Sequence, residues 1–95
     1  MFRFHPRRKK YFVRVILDSQ PRNWMREKRS FASREWFEGQ VRYGEWVKEQ
    51  KKQNHYLIYS TVTEGTKRIT VLIKIRDCQT YVLVEHAHVL GKKKA

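Results

Sequence analysis

Near its C-terminus the chain reads Glu85-His86-Ala87-His88, its sharpest local concentration of titratable groups. On a strand, side chains two apart project from the same face, so His86 and His88 would stand together. Two imidazoles near neutral pH can act as general acid and general base, which RNA strand cleavage through the 2′-hydroxyl requires. The same pair can be two metal ligands, or one ring can pack in a core while the other is solvated. The metal reading ranks last. Its only helpers, Cys78, Asp77 and His55, make no recognised ligand spacing. The chain also lacks a Walker loop, a zinc finger, a nucleophile elbow and a dinucleotide fingerprint. We therefore expect no metal and no cofactor, and any nuclease activity here would be metal-independent.

Cations surround the strand that precedes this run. Lys67, Arg68, Lys74 and Arg76 could hold a phosphate, Arg by a bidentate fork that also stabilises charge at phosphorus. The plainer alternative is solvated charge at strand ends. Two further clusters, Arg7-Arg8-Lys9-Lys10 and Lys92-Lys93-Lys94, suit sequence-independent phosphate contact better than catalysis. A localisation signal is the alternative for the first and a solubility tail for the second. Phe2, Phe4, Trp24 and Trp46 are candidates for stacking on unpaired bases. Trp36, Phe37 and Tyr43, at helical spacing, belong to a core.

The whole composition points the same way. Lys and Arg total 22 against 9 Asp and Glu, a net charge of +13 on 95 residues. Residues 1–34 hold 11 of those cations and two acids, Asp18 and Glu27. Cations that meet phosphates release condensed counterions, so nucleic acid is the expected partner, RNA before DNA. Five Tyr, five Phe and three Trp argue for a folded domain rather than a disordered basic tail. No apolar run approaches the ~20 residues of a membrane span. The basic N-terminus leads into no small-residue cleavage site, so no signal peptide is expected. The lone Cys78 fits a reducing compartment, and the expected location is the cytoplasm.

The elements that must position these residues follow from periodicity. Residues 11–17 alternate as a strand, with Tyr11, Val13, Val15 and Leu17 on one face and Arg14 on the other. Asp18-Ser19-Gln20-Pro21 reads as a turn, and residues 23–29 as a short helix with Asn23 as N-cap. A longer helix is expected from Ser33 to about Gln53, gathering Trp36, Phe37, Val41, Tyr43, Gly44 and Val47 on one arc with Trp46 at its edge. Strands follow at residues 56–62, 68–76 and 80–90, joined by turns at Glu64-Gly65 and Asp77-Cys78-Gln79.

The expected fold class is α+β: an antiparallel sheet of about four strands with one or two helices on one face, in the order β-α-(α)-β-β-β. Residues 1–10 form a basic arm, 11–91 a single domain and 92–95 a basic tail. The uncovered sheet face would then carry Arg14, Lys74 and Arg76.

The C-terminal third resembles the RelE/HigB group of small toxin ribonucleases. That group carries a basic-started apolar strand, a short turn, a second apolar strand and a His-Ala step. Here Thr66-Lys67-Arg68-Ile69-Thr70-Val71-Leu72-Ile73-Lys74-Ile75, Tyr81-Val82-Leu83-Val84 and Glu85-His86-Ala87-His88 stand in those places. Val89 replaces an aromatic residue of the family pattern. The resemblance implies ribosome-dependent cleavage of mRNA and an acidic antitoxin partner, with His86 and Arg68 as the matched site residues. The competing expectations are a non-catalytic module that binds RNA or DNA, or sits within a nucleoprotein, and after it a protein-interaction subunit whose charge matches an acidic partner.

Overall fold

The computed structural model describes residues 14–27 and 31–90. The expected arm and tail, with Phe2, Phe4, Arg7, Arg8, Lys9, Lys10, Lys92, Lys93 and Lys94, lie outside the described residues, as do positions 11–13 of the expected first strand.

The fold is α+β. Its elements are β1 (Arg14–Leu17), α1 (Ser19–Arg26), α2 (Arg34–Tyr43), β2 (Val47–Lys48), β3 (His55–Glu64), β4 (Lys67–Asp77) and β5 (Tyr81–Leu90). Five strands form one sheet in the order β1-β5-β4-β3-β2. β2 to β5 run as an antiparallel meander, but β1 pairs in parallel with β5, Val15 opposite Val82 and Leu17 opposite Val84. The sheet is therefore mixed rather than wholly antiparallel, and has five strands rather than four. The two helices carry the chain from β1 to the far edge, and the meander returns it beside β1 running the same way.

The turn expected at Asp18 to Pro21 is instead the start of α1. The Asp18 carboxylate accepts from the Ser19 amide at 2.8 Å, which makes Asp18 the N-cap in place of Asn23. Pro21 is tolerated because the amides of a helix's first turn have no intrahelical partner. Ser33 caps α2, accepting from the Trp36 amide at 3.0 Å. That helix stops at Tyr43, well short of Gln53. Gly44 ends it, and the buried Trp46 indole donates to the Val41 carbonyl at 2.9 Å, satisfying one of the acceptors a helix end exposes. Val47 and Lys48 then pair with Leu57 and Tyr56 as β2.

Both helices lie on one face of the sheet. Phe37, Val41, Trp46, Ile73, Ile75, Val82 and Val84 there have no exposed surface. Trp24 packs on Phe31 and Phe37 in tilted and edge-on contacts. Trp24 and Trp46 are thus core residues and not stacking platforms, while Tyr43, expected in the core, is 74 % exposed because the helix ends beneath it. Gln20 closes the edge of β5 beyond β1. Its side chain donates to the Ala87 carbonyl at 2.9 Å and accepts from the Ala87 amide at 2.8 Å, as a neighbouring strand would. Neither helix is long and apolar enough to cross a membrane.

The two helix glycines differ in kind. A Cβ on Gly44 would lie 2.5 Å from the Gln40 carbonyl oxygen and 3.0 Å from Ile58, whereas one on Gly39 would meet nothing within 4 Å. Gly44→Ala should lose about 1–3 kcal/mol through overpacking. Gly39→Ala should gain up to ~1 kcal/mol of helix propensity. Thermal melts of the two variants should move in opposite directions from the parent.

Candidate nucleic-acid interface

The face opposite the helices carries Arg14, Arg68, Lys74, Arg76, His86 and His88 of the side chains that the sequence singled out. Strand register sets them in rows. Ile16, Leu83, Arg76 and His55 make one row, Leu57, Lys74 and His86 the next, and Tyr59, Leu72 and His88 the third. Arg14, Lys74 and Arg76 all lie on this face, as their alternation with buried neighbours requires.

A bulge between Lys74 and Ile75 sets what β5 presents. Ile75 lies opposite Val84 and Lys74 opposite His86, so Glu85 is an extra residue with no partner on β4. Val82 and Val84 point into the core before it, and Ala87 after it. Unbroken alternation would have sent His86 and His88 inward and Ala87 outward. The bulge reverses this, and both Glu85 and His86 reach the open face.

Two linked clusters result. In the first, Arg76 donates to Glu85 at 2.9 Å, and His55 Nε2 lies 3.4 Å from the other carboxylate oxygen. His55 Nδ1 is 2.7 Å from the Gln53 carbonyl. A carbonyl only accepts, so Nδ1 carries a proton and Nε2 is left to face Glu85 and, at 3.4 Å, the Arg76 Nε. In the second cluster, the Nδ1 atoms of His86 and His88 are 3.2 Å apart. One must donate and the other accept, so the pair cannot hold protons on both facing nitrogens without repulsion. Burial holds His86 below the usual imidazole pKa of 6.5, and the neighbouring His88 and Lys74 push it the same way. A neutral imidazole beside a second imidazole and an ammonium group is an arrangement capable of moving protons.

Not every sequence candidate arrives here. Arg68 shares the face but lies opposite Thr63, four residues along β4 from Leu72, which faces His88. That is ~13 Å of strand, and Lys74, not Arg68, is the cation beside His86. Lys67 falls at the hairpin, with its side chain on the opposite face from Arg68. Arg76 is already engaged by Glu85. The sequence gives Glu85 only as the first residue of the run with the two histidines and His55 only as a possible metal helper, and assigns neither a role beside the imidazole pair. Alternation puts Glu85 opposite His86, and no sequence signal marks the bulge. Among the described residues, no group of three or more His, Cys, Asp or Glu could hold a metal ion.

The charge is unevenly shared as well. Residues 14–27 and 31–90 contain 12 Lys and Arg against all 9 acids, so +3 of the total +13. On α2, Arg34 and Arg42 both pair with Glu38.

The His86 imidazole should titrate with a midpoint below 6.5 in a nuclear magnetic resonance pH series, and His88→Gln should move that midpoint up. Because the folded pKa is the lower one, the unfolded chain binds more protons between the two values. Stability from this group is complete above pH ~6.5 and declines as the pH falls through the folded pKa. Denaturation midpoints should show that decline in the parent and a smaller one in His86→Asn.

Comparison with family models, with curated proteins and with solved structures found no match to this chain.

Proposed function

We propose that this protein binds RNA, with its basic terminal segments holding the phosphate backbone across the open face of the sheet. The observation that carries this reading is the one-sided charge of the two ends of the sequence. Eight Lys and Arg and no Asp or Glu occupy residues 1–13 and 91–95. Chain connectivity fixes where the terminal segments attach. Residue 13 leads into β1 beside Tyr81, at one end of β5, and residue 91 follows Leu90, opposite Thr70, at the other. The two basic segments are thus tethered at opposite ends of one strand, ~30 Å apart. Between them lie Lys74, His86 and His88. A phosphodiester chain gripped from both ends would run past these groups.

A second reading, metal-independent RNA cleavage, is favoured by the cluster itself. Glu85 or one imidazole would take the 2′-hydroxyl proton, and the other imidazole would protonate the 5′-oxygen leaving group. Lys74 would offset charge at phosphorus. The resemblance to the toxin ribonucleases implies the same reaction type, with the ribosome and an acidic antitoxin as partners in the cytoplasm, although its matched Arg68 lies away from this cluster. The alternative within RNA binding is a non-catalytic nucleoprotein component, for which the two His would only contact phosphate.

Affinity for single-stranded RNA, duplex RNA and duplex DNA should be compared between about 50 and about 300 mM salt. Each phosphate contact to a single strand contributes ~0.7 to the slope of log affinity against log salt. Replacing Arg7, Arg8, Lys9, Lys10, Lys92, Lys93 and Lys94 by Gln should flatten that slope for RNA, and a salt-independent affinity would refute phosphate gripping. For the second reading, an oligoribonucleotide incubated with chelator should be cut, its 2′-deoxy analogue should remain intact, and His86→Ala and Glu85→Gln should each slow cutting at least ~100-fold.

A further inference from the structure

We infer that Tyr59 forms a nucleobase-stacking subsite for the nucleotide next to the one whose phosphate lies at Lys74 and His88. The inference rests on the RNA reading above and extends it from phosphate contact to base contact. Tyr59 is on the open face and is 54 % exposed, on the part of β3 that β2 does not flank. The other large apolar groups of that face are sheltered. Leu72, directly between Tyr59 and His88, is 9 % exposed, and Leu57, Leu83 and Ile16 are half-buried. A ring standing in water beside this apolar floor offers a flat face on which a planar ligand can stack.

The surroundings select the ligand. Tyr59, Leu72 and His88 are consecutive members of one row, which places Tyr59 ~10 Å from His88 across two strand spacings. Lys74 is the diagonal neighbour of Tyr59 on β4, ~7–8 Å away between backbones. Thr61 and Thr70 sit opposite one another in the next row, adding hydroxyls beside the ring. A flat apolar surface, hydroxyl donors and a cation within one nucleotide's reach fit a base joined to a phosphate. They do not fit a purely polyanionic ligand, which needs no ring. A second copy of this chain is disfavoured by its own +13 charge. Among the described residues, β2 pairs only with Tyr56 and Leu57, so no strand flanks β3 beside Tyr59 and a single strand can approach from that edge.

The test uses the full chain and two polymers of matched phosphate number, oligoadenylate and inorganic polyphosphate. Tyr59→Ala should weaken oligoadenylate binding about 10-fold, the scale of one base–aromatic stack, and leave polyphosphate binding within about twofold. Tyr59→Phe should retain oligoadenylate binding. Thermal melts check that the variants fold. If Tyr59→Ala binds oligoadenylate as the parent does, or loses both polymers alike, the subsite is overturned while RNA binding stands. If the parent binds no oligoadenylate, the RNA reading falls and the subsite with it.

Discussion

One extra residue in β5 determines what the open face of this protein can do. Between Val84 and His86 the ladder to β4 skips Glu85, and every later side chain on the strand changes sides. Ala87 enters the core opposite Ile73, where a small residue lets Gln20 reach the β5 backbone. His86 and His88 leave the core for the face that no helix covers. Glu85 itself turns outward and is caught by Arg76 and His55. Three histidines, a carboxylate and two cations from β3, β4 and β5 are thereby drawn into one patch.

The fold supports this patch by placing its hydrophobic burial on one side. Aromatic residues of α1, α2 and the loop after α2 fill the covered face, with Phe37 and Trp46 completely enclosed. The strands that bear the patch are held from behind by Val71, Ile73, Ile75, Val82 and Val84, each buried. Side chains on the front therefore project from strands packed on their other face, which fixes their separation. The hydrogen bonds of Gln20 on β5 and of Trp46 on α2 complete backbone groups that the short β1 and the early end of α2 would otherwise leave open.

Electrostatics divide the molecule differently from packing. The described fold is close to balanced, and its exposed cations are partly neutralised by Glu38 and Glu85. Most of the positive charge belongs to residues outside it. Within the sheet, the protonation of His86 is tied to its burial and to its neighbours His88 and Lys74.

Much was legible in the chain alone. Period-two alternation located the strands of β3, β4 and β5, Ser33 announced the start of α2, and the residue types gave the net charge. These are local or additive properties, carried by neighbouring residues and by sums. Other features depended on partners distant in sequence. α2 ends at Gly44 because Trp46 finds the Val41 carbonyl and Val47 finds Leu57, although the residues after Gly44 keep a helical pattern. β1 lies parallel to β5 because the crossover returns the chain on that side. Above all, the face on which His86 and His88 stand was decided by the pairing of β5 with β4. Sequence alternation fixes which residues share a face within an unbroken strand, but the place where a strand slips by one residue is set by the register of its neighbour.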